Sequence, residues 1–175
     1  MPPGAPAAMF KTLEQVEPRI PVSAAGVTLS QSGSYYLTTN LVTSSTNTDC
    51  ITISASDVTL DLNGFTIIGT GGTNSSADGV SYSGGGARNV TICNGTIRGF
   101  YRGIAASSAA ANTGAIFENL RIVNCYFRGI ILGVTTNTVS GIIRNNLIQV
   151  MGVPAWVPPI KIYAALTATS GALWS

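Results

Sequence analysis

The chain has 175 residues, enough for one domain with a continuous core, and it is 45% hydrophobic but only 9% charged. A net charge of +2 with two lysines gives no basic stripe, which argues against phosphate-neutralising nucleic-acid binding. The sequence contains no histidine, which removes the commonest general base, the Ser-His-Asp arrangement and imidazole metal ligands.

In chain order, residues 1–8 are rich in Pro and Ala and read as an extended arm. Residues 9–17 predict one short helix, with Thr12 suited to the N-cap, Glu14 in the first turn and Pro18 ending it. Residues 1–26 are thus expected to be an arm and cap that cover an otherwise open strand edge. Val27–Leu41 reads as two strands around Gln31-Ser-Gly-Ser34. The stretch from Ile51 to Gly69 is the clearest of all: Ile51, Ile53, Val58, Leu60, Leu62, Phe65 and Ile67 alternate with Thr, Ser and Asp. That is the period of strands with one buried face, and the polar corners between them are too short for a crossover helix. Residues 70–78, 83–87 and 107–113 read as loops. Pro154, Pro158 and Pro159 then break the pattern before a last strand over Ile160–Leu166. Trp156 and Trp174 make residues 151–175 a cap or a docking tail, the expected route to a homo-oligomer or filament.

Two repeats alternate along the chain. The first is a corner asparagine between apolar positions, at Asn63, Asn94, Asn124 and Asn145. The second is glycine followed by a β-branched residue: Gly79-Val80, Gly103-Ile104, Gly129-Ile130 and Gly152-Val153, with Ile51 an earlier member lacking the glycine. The spacing describes a solenoid of three short strands per turn, in which each coil buries its apolar face only by stacking on its neighbours. Asparagine suits the corners because it tolerates the left-handed conformation, and stacked Asn side chains form a ladder. The fold expected is therefore an all-β parallel β-helix of about five coils over residues 27–150.

The strings Asp57-Val-Thr-Leu-Asp-Leu-Asn-Gly-Phe-Thr-Ile67 and Asn89-Val-Thr-Ile-Cys-Asn-Gly-Thr-Ile97 resemble the right-handed parallel β-helix repeats of the pectate-lyase-like superfamily. The opening Lys11-Thr-Leu-Glu-Gln-Val-Glu-Pro-Arg-Ile-Pro21, with Gly33-Ser-Tyr-Tyr-Leu37, is similar to the start of secreted bacterial β-helix proteins. The resemblance covers roughly residues 9–150. It implies a right-handed coil, and for the lyases of the superfamily a surface arginine acting as base beside Ca²⁺-binding carboxylates.

The residues that precede the glycines are Asp78, Arg102 and Arg128, and stacking should set them in one column on the outer surface as a candidate ligand site. The plain alternative is an Asp78–Arg102 ion pair with Arg128 solvated. The seven acids are scattered over different coils, so no Ca²⁺ cluster forms, and neither a metal nor a cofactor is expected. Asp57 and Asp61 could approach the separation that paired-carboxylate hydrolysis needs, but no third group converges on them. Outward Thr52, Thr59, Thr66, Thr91 and Thr96 do not extend into a flat threonine array, because later coils carry Arg121, Tyr126 and Leu147. Tyr35, Tyr36, Tyr101 and Tyr126 suit packing better than sugar stacking. Cys50, Cys93 and Cys125 form no CxxC pair and read as small buried hydrophobes.

The function expected is that of a non-catalytic extracellular or cell-surface module, structural, self-assembling or carbohydrate-contacting. The alternative is a lyase or hydrolase acting on acidic polysaccharide around Arg102 or Arg128. Met1-Pro-Pro-Gly-Ala-Pro lacks the basic start and apolar core of a secretory signal, and no apolar run approaches the length of a membrane span. The extracellular reading thus assumes a leader that is not included in this chain.

Overall fold

The computed structural model describes residues 18–71, 75–82, 87–106, 112–133, 139–151 and 159–162. They form an all-β parallel solenoid of about four turns, with no helix among the described residues. The helix expected over residues 9–17 lies outside them. Three faces wind round one axis. The first face carries β2 (Val27–Leu29), β5 (Ile51–Ile53), β8 (Asp78–Tyr82), β10 (Arg102–Ala106), β12 (Arg128–Leu132) and β15 (Ile160–Ile162), hydrogen-bonded in that order.

The second face begins with β1 (Ile20–Val22), β3 (Gly33–Leu37) and β6 (Val58–Asp61). The third begins with β4 (Leu41–Val42) and β7 (Thr66–Ile68). Two long strands, β9 (Thr91–Arg98) and β11 (Asn112–Cys125), run through the corner and belong to both faces. β13 (Val139–Arg144) then continues the second face and β14 (Leu147–Val150) the third. Ile20–Val22, in the segment read as arm and cap, is thus a strand paired in parallel with β3.

Each face contributes an aliphatic row to the core, because parallel pairing sets like positions of successive coils over one another. Val27, Ile51, Val80, Ile104, Ile130 and Ile160 follow in register on the first face. Tyr35, Leu60, Ile92, Phe117 and Ile143 do so on the second. Leu41, Ile67, Ile97, Ile122 and Ile148 do so on the third. The middle members of every row are wholly buried, each worth about 1.5–3 kcal/mol of transfer free energy.

Two details differ from the sequence reading. The first-face row ends on Ile160, where the repeat had pointed to Val153, which lies outside the described residues. The turn count is about four, against the five expected.

The corners explain the asparagines. Every non-glycine residue with positive φ among those described is Asn or Asp: Asp57, Asn63, Asn89, Asn94, Asn119, Asn124 and Asn145. These are the side chains that visit the left-handed region at least cost. The corner between the second and third faces is turned by Asn63, Asn94, Asn119 and Asn145, since Glu118 pairs with Cys93 and Leu120 with Gly95. Asn124 does not belong to that ladder. It follows Val123, which pairs with Arg98, so it turns the next corner beside Gly99, itself at φ 74°. The ladder is partly cross-bonded: Asn119 Nδ2 donates to Asn94 Oδ1 at 3.3 Å, and Asn94 Nδ2 donates to Asp61 Oδ1 at 3.1 Å.

Candidate functional site

The corner that leads into the first face is made by Gly79, Gly103 and Gly129. None needs a left-handed backbone; each needs the absence of a side chain. A Cβ on Gly103 would lie 2.6 Å from the Gly129 carbonyl oxygen and collide with the Ile122 methyl. The chain therefore folds tightly against the third-face isoleucines, and the residue ahead of each glycine is held at one height of its coil. Register then sets Arg102 opposite both Asp78 and Arg128.

The column is only partly on the outer surface: the Arg102 side chain is 27% exposed, but its two neighbours are buried. Asp78 is only 2% exposed and Arg128 7%, so the solvated Arg128 of the sequence reading is corrected. The cause is the glycine corner, which draws the preceding residue inward with the backbone. Arg102 grips Asp78 with a two-pronged fork, Nε to Oδ1 and Nη2 to Oδ2, both at 2.7 Å. Its guanidinium also lies 5.8 Å from the Tyr101 ring centre, and that of Arg128 lies 4.5 Å over Phe127. Tyr101 and Phe127 stack at 5.0 Å with planes 7° apart, and Tyr126 joins at 6.4 Å. These rings therefore pack on one another.

The column has a fourth member that the sequence reading missed. Because Ile51 pairs with Val80, Asp49 is the counterpart of Asp78 one coil earlier, and its Oδ1 accepts the Asp78 backbone N–H at 2.8 Å. Cys50 stands where later coils have glycine, which hid the match; counting two residues back from Ile51 would have found it. The order along the axis is thus acid, acid, base, base.

Burial is the largest influence on Asp78 and pushes its carboxyl up to about 6, with Asp49 adding to the rise and Arg102 opposing it. Arg102 itself moves upward: burial works against its charge, but the hydrogen bonds and charge of Asp78 outweigh that. An arginine that serves as a base must shift the other way. The Asp78 carboxyl takes up a proton more readily folded than unfolded, so its contribution to stability is fully present below the ordinary value of 3.8 and is lost as pH rises through about 6. Asp78→Asn is expected to flatten the difference in denaturant midpoint between about pH 4 and about pH 7, either side of that window. An unchanged slope would show that Asp78 does not titrate there.

The other candidates are occupied structurally. Asp57 turns a corner at φ 57° and accepts from Asn89 Nδ2 at 2.9 Å. Asp61 accepts the Asn63 N–H at 2.8 Å and meets Arg19 Nη1 at 3.4 Å. Asp57 precedes β6 and Asp61 ends it, about 13 Å apart by strand rise, too far for paired-carboxylate hydrolysis. Cys50, Cys93 and Cys125 are all buried and unbonded to each other. Burial pushes the thiols of Cys50 and Cys125 up to about 12 and that of Cys93 to about 11, so none is a nucleophile at neutral pH. Among the described residues no group of three His, Cys, Asp or Glu could hold a metal ion, and no helix is long and apolar enough to cross a membrane.

The third face carries a different feature. Thr66, Thr96, Arg121 and Leu147 follow in register on its outer side, and Arg98 lies two residues beyond Thr96. Arg98 and Arg121 are exposed, and their side chains have neither an ion pair nor a hydrogen bond among the described residues. Sequence reading passed over them because single arginines in separate strands form no run; only the register brings them together.

No family model, curated protein or solved structure matches this chain, and what the molecule itself displays is a parallel β-solenoid with a self-neutralised Asp–Arg column at one corner and, on the face before it, two arginines whose side chains have no partner among the described residues.

Proposed function

We propose that the protein is a non-catalytic β-solenoid module, acting outside the cell or at its surface, whose third face contacts acidic polysaccharide. The observation that carries this reading is the placement of Arg98 and Arg121 on the same strand face as Thr66 and Thr96, with no acid among them. Planar guanidinium forks match carboxylates, hydroxyls match sugar hydroxyls, and repeated strands match a repeating chain. The fork that ties Arg102 to Asp78 supports a structural role for the column and weighs against the lyase reading.

Gel retardation by polygalacturonate or alginate, with a neutral glucan as control, tests the proposal. Retardation should occur with the acidic polymers, weaken with added salt, and be lost in Arg98→Ala/Arg121→Ala. Equal mobility in all gels would contradict it. So would the release of unsaturated or reducing ends that Arg102→Ala abolishes, which would make the protein an enzyme.

A further inference from the structure

Most of the tail of residues 151–175, expected from the sequence to dock a partner, lies outside the described residues, whereas every strand of the third face lies within them. Two columns of outward side chains cross that face. One is Thr66, Thr96, Arg121 and Leu147; the other is Val42, Ile68, Arg98, Val123 and Gln149, each set in register. The face is basic in the middle and aliphatic toward its amino-terminal side. Val42 is 65% exposed and Ile68 half-buried, while Leu41 and Ile67 beside them are core residues. Beyond Arg121, Leu147 is 52% exposed. Neither column contains an acid.

Along a strand, two outward positions span about 7 Å, whereas the five rungs from Val42 to Gln149 span about 19 Å across the coils. A linear polymer held by both arginines therefore makes its longest run of contacts along the solenoid axis, and that run begins on Val42 and Ile68. Given the binding of acidic polysaccharide proposed above, on which this step rests, the pattern says which kind. A polymer with a carboxylate on every sugar would lay charge over Val42 and Ile68. Their side chains offer it neither a cation nor a hydrogen bond, so its water would be lost without return. A neutral pyranose presents C–H groups on its ring faces, and covering aliphatic side chains with them is favourable. We propose that the ligand is a mixed polysaccharide in which neutral sugars separate uronic acids. Neutral rings cover Val42 and Ile68, and carboxylates meet the Arg98 and Arg121 forks.

Affinity electrophoresis of the full chain is the test, with hyaluronate, in which glucuronate alternates with a neutral amino sugar, set against polygalacturonate at equal carboxylate concentration. Hyaluronate should bind about tenfold more tightly, the gain from covering exposed aliphatic surface. Val42→Ser should cut that advantage to about threefold or less and leave polygalacturonate binding unchanged. Val42→Lys adds a cation where the aliphatic patch stood and should bind polygalacturonate more tightly than the wild type does. Both variants should keep the wild-type circular dichroism spectrum, because Val42 is exposed. Polygalacturonate binding as tightly as hyaluronate, an advantage that survives Val42→Ser, or no gain in Val42→Lys would overturn the mixed-polymer proposal and leave acidic-polysaccharide binding standing. Binding of neither polymer would overturn both.

Discussion

Arg102→Ala is expected to destabilise the protein by about 3–5 kcal/mol, the cost of stranding one partner of a buried ion pair. Asp78 is 3% exposed at its side chain and, among the described residues, has no second cation to turn to except Arg128, which lies across the Phe127 ring on the far side of Arg102. Protonation of Asp78 limits the loss, because burial already holds its carboxyl at about 6. The cost should therefore sit near the lower bound at pH 5 and rise toward neutral pH. Arg102→Lys keeps the charge but not the fork, and should lose less. The double change Asp78→Ala/Arg102→Ala should cost less than the sum of the single ones, since it leaves no lone charge buried. Chemical denaturation of the wild type, the three single variants and the double variant measures this. Additive losses would show that the fork contributes nothing beyond packing.

Ile104→Ala should cost about 2–5 kcal/mol, the range for truncating a fully buried aliphatic side chain. Ile104 has Val80 on one side and Ile130 on the other, all three wholly buried, so the cavity has rigid walls on both sides along the axis. The same truncation at Ile160, which is partly buried at the end of the row, should cost clearly less. In a solenoid each coil meets only its neighbours, so the middle rung has two interfaces to lose and the end rung one. Equal losses at the two positions would mean that the row is not a row.

How much of this was legible in the sequence depended on which force fixed each residue. The Gly-Ile and Gly-Val pairs were readable because two independent constraints coincide there: a corner with no room for Cβ and a core position that wants a branched chain. The corner asparagines were readable as a class but not as a ladder. Asn119 and Asn124 both take φ near 55°, and each corner of the coil accepts such a residue, so only pairing tells which corner each one turns. Asp49 was invisible because Cys50 replaced the marker glycine. The depth of Asp78 and Arg128 was misjudged because charge suggests a surface, whereas the glycine next door carries the backbone inward. Arg98 and Arg121 lie more than twenty residues apart, and nothing local links them.

The account rests on the parallel stacking of coils, and cross-linking reads that directly. Thr59 and Thr91 are register partners on the outer side of the second face. Adjacent strands lie about 4.8 Å apart, within the Cα separation a disulfide spans. Thr59→Cys/Thr91→Cys should form an intramolecular disulfide on mild oxidation of the folded protein, while Thr59→Cys/Arg88→Cys, three residues out of register, should not. Cross-linking of the second pair in place of the first would contradict the winding on which every other conclusion depends.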